Sequence, residues 1–304
     1  MKKLFFLIIA GALLAGCASK PYESNPKYSF ALNVMKATGS TEIKDSRSEE
    51  EATKIRDGGP TVAGTVGYGI IGALSNPGSG LGIGSVMDGL LHGGAGLAVA
   101  NPKAPENYPH LYAWMPKEMA SSPNEAMGKL EQLLADALSK ALNEVDFPED
   151  YVVGNVTTDH PNYLYSVVAE IKGGGCGGAG ELICRYRISY DREYNPGIIK
   201  TPDFLQHNGE LSWDLRRGFS VGGSSFYNIF KSGSVPEARL PDLEVYTRMT
   251  AYLPDWVFMY FSPRKVRAGE SFMVSVRTED GFAPLGKSVI LNKGQIHLFV
   301  KPNI

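Results

Sequence analysis

An α+β fold is predicted for this chain by three observations. Residues Ser122 to Val145 carry one apolar face at helical spacing. Residues Leu182 to Tyr190 alternate apolar and polar, as a strand with one buried face does. From Trp213 onward, short β-rich runs are separated by Gly/Pro turns. The expected organisation is a signal segment over 1–16, a tether with a short exposed segment over 17–57, and a glycine-rich helical hairpin over 58–100. An α+β region over 101–210 and a β-rich region over 211–304 follow. The soluble part thus combines one long amphipathic helix with an antiparallel sheet.

The chain opens with Met1-Lys2-Lys3, then an apolar run from Leu4 to Leu13, then Leu14-Ala15-Gly16-Cys17. A positive start, a short apolar core and small residues before a cut site make a secretory signal peptide. The run is too short to remain as a spanning helix. Its ending resembles the bacterial lipobox. That resemblance implies lipidation of Cys17 and cleavage before it, leaving 288 of the 304 residues. Ala18 and Ser19 follow, with no aspartate, which by the same resemblance favours the outer membrane over the inner one. Each buried acyl CH₂ contributes about 0.8 kcal/mol, and more than one chain makes the anchor stable.

Ser19 to Pro26 is polar with two prolines and reads as a tether. Lys27 to Val34 is expected to form a short strand. Ser46 to Arg56 is charged, and its Glu49-Glu50-Glu51 run reads as a solvated face of a short helix or an unstructured stretch.

Gly58 to Gly96 holds 14 of the 35 glycines and a single charged residue, Asp88. Flexible linkers are polar, whereas this segment is apolar. Small residues recur four apart: Ala63 and Gly67, Gly69 and Ala73, Gly80 and Gly84, then Ser85, Gly89 and Gly93. That spacing lets helix backbones approach closely, as they do in lipid. In water each glycine costs a helix about 1 kcal/mol, while hydrocarbon forces internal hydrogen bonding. Ser75-Asn76-Pro77-Gly78 is a turn signal. The two arms, Thr61 to Leu74 and Gly80 to Ala100, would be about 21 and 31 Å long. A tilted or partly inserted hairpin, packed on copies of itself through Gly80, Gly84, Gly89 and Gly93, is expected. Asp88 and His92, four apart in the second arm, either face a protein interior or mark a solvated stretch.

With Cys17, these glycine rows and the Ser75 to Gly78 turn, the chain resembles the TraT-type surface-exclusion and complement-resistance lipoproteins of conjugative plasmids. The resemblance covers about a third of the chain. It implies an outer-membrane lipoprotein that oligomerises within an envelope assembly.

Asn101 to Pro109 is a proline-rich boundary. In the helix that follows, Ser122 is the N-cap, Pro123 fits the first turn and Glu125 completes a capping box. Met127, Leu130, Leu134, Ala137, Leu138, Ala141 and Val145 share one face. Tyr163 to Ile171 and Leu182 to Tyr190 read as strands around the loop Lys172 to Glu181. Later strands are expected at Trp256 to Phe261, Ser271 to Arg277, Ser288 to Leu291 and Gln295 to Val300, arranged as a sheet or small sandwich. Trp256 to Phe261 is apolar on both faces and reads as a two-sided buried strand.

Few features carry chemistry. Once Cys17 is lipidated, Cys176 and Cys184 remain; an exported chain permits a disulfide between them, worth about 2–3 kcal/mol, or they stay as free thiols. Histidines 92, 110, 160, 207 and 297 show no metal spacing. Gly218-Phe219-Ser220-Val221-Gly222 matches a nucleophile-elbow pattern, with His92-Gly93-Gly94-Ala95-Gly96 as an oxyanion loop and Asp242, Asp255, Asp280 and His297 downstream. The polar residues before it, Ser212 to Arg217, argue against the buried strand such an elbow needs. No cofactor or metal is expected.

A net charge of −2 argues against bulk electrostatic binding of nucleic acid or anionic lipid. The expectation is a non-enzymatic, outer-membrane-anchored lipoprotein whose partners are membrane lipid, its own copies and other envelope proteins of a conjugation, secretion or surface-exclusion system. The alternatives are a monomeric lipid-anchored binding module and a lipid-anchored serine esterase.

Overall fold

The computed structural model describes residues 21–40, 43–51, 110–147, 149–159, 164–173, 184–191, 195–216, 219–222, 240–261, 274–278, 281–285 and 287–303. The signal segment, the glycine hairpin of 58–100 and the loop bearing Cys176 lie outside them. The described elements are α+β, as expected. Among the described residues no helix is long and apolar enough to cross a membrane.

The long helix, α2 (Pro123–Glu144), forms where the sequence places it. Ser122 Oγ accepts the Glu125 amide at 3.2 Å. The Glu125 carboxylate reaches back to the Ser121 amide at 2.8 Å. Lys129, one turn on, lies 2.7 Å from the same carboxylate. These hydrogen bonds, from Lys129 first and then Ser121, hold the Glu125 carboxyl down at about 2. Its buried face is Ala126, Met127, Leu130, Leu134, Ala137, Leu138, Ala141 and Leu142.

That face lies over β2 (Tyr151–Asp159) and β3 (Leu164–Gly173) and against a second helix, α3 (Asp242–Ala251). The sheet beneath is antiparallel and has ten strands. Its first central strand is β1 (His110–Pro116), flanked on one side by β8 (Val257–Phe261). On the other side β1 meets β6 (Leu211–Asp214) along its second half and β7 (Phe219–Gly222) along its first. Trp114 pairs with Asp214 but Leu111 with Phe219, so three steps along β1 match five along its neighbour. Two extra residues are thus taken up between Asp214 and Phe219, as in a bulge.

The sheet continues from β7 through β4 (Cys184–Asp191) to β3 and β2. From β8 it runs to β11 (Val289–Asn292) and β12 (Gln295–Leu298). A short strand, β5 (Ile198–Lys200), pairs with β6. A separate hairpin joins β9 (Ser275–Thr278) to β10 (Gly281–Pro284). The β11–β12 turn has Lys293 at φ 50° and Gly294 at φ 74°, the pair of positive angles that tight hairpins require.

Both faces of the centre are covered. Phe261 stacks on Tyr246 of α3 at 5.1 Å, whereas Phe258, three residues earlier and so on the other face, meets Phe204 at 6.0 Å. All five residues of β8 are buried, the two-sided burial its sequence predicts. In β4, Tyr186 and Ile188 are buried while Arg185 and Arg187 are half-buried, as the alternation predicts, but Ser189 on the arginine face is buried as well.

Three sequence expectations are corrected. Lys27 to Val34 is not a strand; Phe30–Ala37 forms helix α1, capped by Ser29 Oγ accepting the Leu32 amide at 3.0 Å. The tether reading fails for residues 21–26, which hydrogen-bond into the domain. The boundary expected at 210/211 falls inside one sheet, because β1 is paired with strands from 211–222 and 257–261. Among the described residues one hydrophobic core runs through both regions, and the strands form a single large sheet with a separate two-stranded hairpin.

Candidate functional site

The most specific polar construction in the described chain is where its N-terminal segment locks onto the domain. The Ser24 amide donates to both Asp203 carboxylate oxygens, at 3.0 and 2.9 Å, and Ser24 Oγ donates to one of them at 3.0 Å. The Asp203 amide donates to Tyr22 O at 3.3 Å. Asn33, on α1, accepts from the Tyr22 hydroxyl at 2.9 Å and the Asn25 amide at 2.8 Å, and its own amide donates to Asn25 O at 3.1 Å. Burial first, then the nearby Tyr28 and Asp203, pushes the Tyr22 phenol up to about 12.

Around this seam lies an aromatic cluster. Phe204 is edge-on to Tyr22, Phe30, Trp114 and Phe258, with centroids 5.8 to 6.3 Å apart. His297 of β12 lies 4.6 Å from Phe30, and burial holds its pKa below the usual histidine value. Arg216, at the bulge, pairs with Asp214 at 2.6 Å, donates to Ala37 O at the end of α1, and sits 6.0 Å over Trp114. Asp45 caps the same helix from outside, accepting the Ser29 amide at 2.7 Å. The Ser46 amide donates to Phe299 O at 2.8 Å, tying this region to the C-terminal strands. The chain is therefore stitched to the domain from Tyr22 onward.

A second polar feature crosses the sheet. Register places Ser166, Ser189, Ser220, His110 and Tyr260 in one row, strand to strand. Ser166 and Ser189 hydroxyls meet at 3.0 Å, and Arg187 Nε donates to Ser166 Oγ at 3.0 Å. Ser166, Ser189 and Arg187 thus satisfy one another, as buried polar groups must.

A third lies on the opposite face. Tyr186 and Tyr246 pack edge-on at 5.8 Å near Asp242, which is 2 % exposed at the start of α3. The helix N-terminus favours that carboxylate. Burial above all, then the Asp242 charge, holds both phenols well above the usual tyrosine value of 10. A raised phenol pKa contributes stability that is complete below the unfolded value and lost as pH rises through the folded one. In an alkaline titration followed by phenolate absorbance, Tyr22, Tyr186 and Tyr246 are expected to ionise above pH 10, the latter two together with unfolding. A single reversible wave of all 15 tyrosines near pH 10, with the fold intact, would contradict this.

Cys17, Gly80, Gly84, Gly89, Gly93 and Cys176 lie outside the described residues. Cys184 opens β4, paired with Ile171. Ser220 lies in β7, which is paired on both sides, where an elbow would need a strand-to-helix turn. His297 is on β12, four strand spacings from β7, on the order of 19 Å. Asp242 is committed to the tyrosines on the other face. The described fold therefore does not bring Ser220, His297 and Asp242 together. Among the described residues, no group of three or more His, Cys, Asp or Glu could hold a metal.

Asp203, Asn33 and Asp45 are the site residues that sequence reasoning misses. Ser29, with Leu32 and Asn33 at the next turn, is a capping signal that would have revealed α1. Nothing local marks Asp203, which acts on a segment 179 residues away.

No protein-family profile matches the chain, and neither a curated protein nor a solved structure matches it.

Proposed function

We propose that this is a non-enzymatic, lipid-anchored component of the bacterial outer membrane. It associates with the membrane, oligomerises through its glycine-rich segment and presents its α+β domain to other proteins of an envelope assembly. Conjugation, secretion and surface exclusion are the settings that suit it. The observation that carries this reading is Leu14-Ala15-Gly16-Cys17 after a charged start and a short apolar run. The clustering of Gly80, Gly84, Gly89 and Gly93 in an apolar stretch supports self-association in lipid.

Two experiments test the proposal. Cells grown with labelled palmitate should label the chain, and Cys17→Ala should abolish the label; an unlabelled wild-type chain sinks the anchor. In detergent extracts, Gly84→Leu with Gly89→Leu is expected to reduce the oligomer to monomer. An unchanged sedimentation profile would remove the glycine faces from the assembly. That result would favour a monomeric binding module on a lipid anchor.

A further inference from the structure

We propose that the surface around Tyr28 and Phe30 lies against the bilayer that carries the anchor, so that the domain stands on the membrane in one orientation. The inference rests on lipidation of Cys17. Its structural part is the shortness of the free chain. From Cys17 to Pro21, the first described residue, is four residue steps, which span at most roughly 14 Å however they are arranged. From Tyr22 the chain is no longer a leash, because Tyr22, Ser24 and Asn25 are held by Asp203 and Asn33. A lipid at Cys17 therefore brings this corner of the domain to the headgroups.

The corner has the chemistry that a headgroup layer accepts. Tyr28 is 37 % exposed and Phe30 36 %, beside the exposed Lys27. The rings of Phe30 and Tyr22 both contact Phe204, at 5.8 and 6.3 Å, so they lie within about 12 Å of each other. Amphipathic rings such as tyrosine favour the membrane–water interface, and lysine stems reach from there toward water. Among the described residues, the other exposed large apolar ones, Val152, Ile198, Leu211, Tyr252 and Ile296, sit on other elements. Sheet order places β2 far from this corner. From β8, under Phe30, to β2 is five strand spacings, on the order of 24 Å. The exposed Asn155 and Thr157 of β2 therefore serve as positions remote from the proposed contact.

The test uses native buried tryptophans as a silent background. All three, Trp114, Trp213 and Trp256, are buried. Palmitate-labelled full-length chain carrying Tyr28→Trp, and separately Thr157→Trp, is reconstituted into phosphatidylethanolamine/phosphatidylglycerol vesicles containing brominated lipid. Phe30→Trp repeats the first arm should Tyr28→Trp fold poorly. Emission at position 28 or 30 is expected to be quenched, and that at 157 to match lipid without bromine. Equal quenching at both sites, or none at 28 and 30, in chain that carries the palmitate overturns the orientation and leaves the anchor standing. Chain without palmitate overturns the anchor and this inference with it.

Discussion

Exported behind an ordinary cleavable signal in place of residues 1–17, and with residues 58–100 deleted, the chain is expected to move from the membrane pellet to the soluble fraction. Retaining either attachment should keep it in the pellet. The magnitudes are large. An acyl chain buries many CH₂ groups at about 0.8 kcal/mol each, and a second chain makes release negligible. The described domain offers nothing comparable: no described helix spans a bilayer, and its exposed apolar side chains are few. In the proposed arrangement the two exposed rings at the seam would orient the domain and the lipid would hold it. Full release on losing the lipid alone would show that residues 58–100 do not enter the membrane. Retention after losing both would remove the anchor from the account.

Trp114→Ala is expected to be the most damaging single change to the fold, costing about 3–5 kcal/mol. Trp114 is fully buried at the middle of β1. It packs edge-on against Phe204 at 5.8 Å and Phe258 at 5.5 Å, beneath the Arg216 guanidinium. Its removal leaves a cavity at the point where α1, the Asp203 loop and the sheet meet. For a domain of this size the melting temperature should fall by on the order of 10 °C, and a domain has only about 5–15 kcal/mol to lose. Trp114→Phe should recover much of this. Its indole N–H has no hydrogen-bond acceptor among the described residues, so the phenyl ring leaves no polar partner stranded. Thermal unfolding of the two variants, with equal losses, would refute the packing argument.

Local patterns were enough for α2 and the better strands. Ser122 caps the helix in sequence and in structure, and Glu125 reaches back to the Ser121 amide, one residue before the N-cap, because capping draws only on adjacent residues. Tyr186 and Ile188 announced a buried face by alternation, and the run Val257 to Phe261 announced burial on both. Strands β1 and β2 and helix α3 were not legible in this way. In α3, Val245, Tyr246, Thr247 and Thr250 are poor helix formers, and packing on the sheet overrides that preference. Between Tyr28 and Met35 both periods are present: Tyr28, Phe30, Leu32 and Val34 alternate, while Ala31, Leu32, Val34 and Met35 recur at helical spacing. The choice of helix goes with contacts to Phe204, Phe258 and His297, none of which is local.

By itself the sequence determined the long capped helix and the α+β class, and it carries the lipobox-like run ending at Cys17 on which the proposed anchor rests, since each depends on residues close together in the chain. Only the tertiary structure decided that 101–210 and 211–304 share one sheet, and that the chain is fastened from Tyr22 onward. Both depend on partners far apart in sequence, such as Ser24 with Asp203 and Leu111 with Phe219. A strand or a carboxylate carries no mark of its distant partner until the chain has collapsed around a common core.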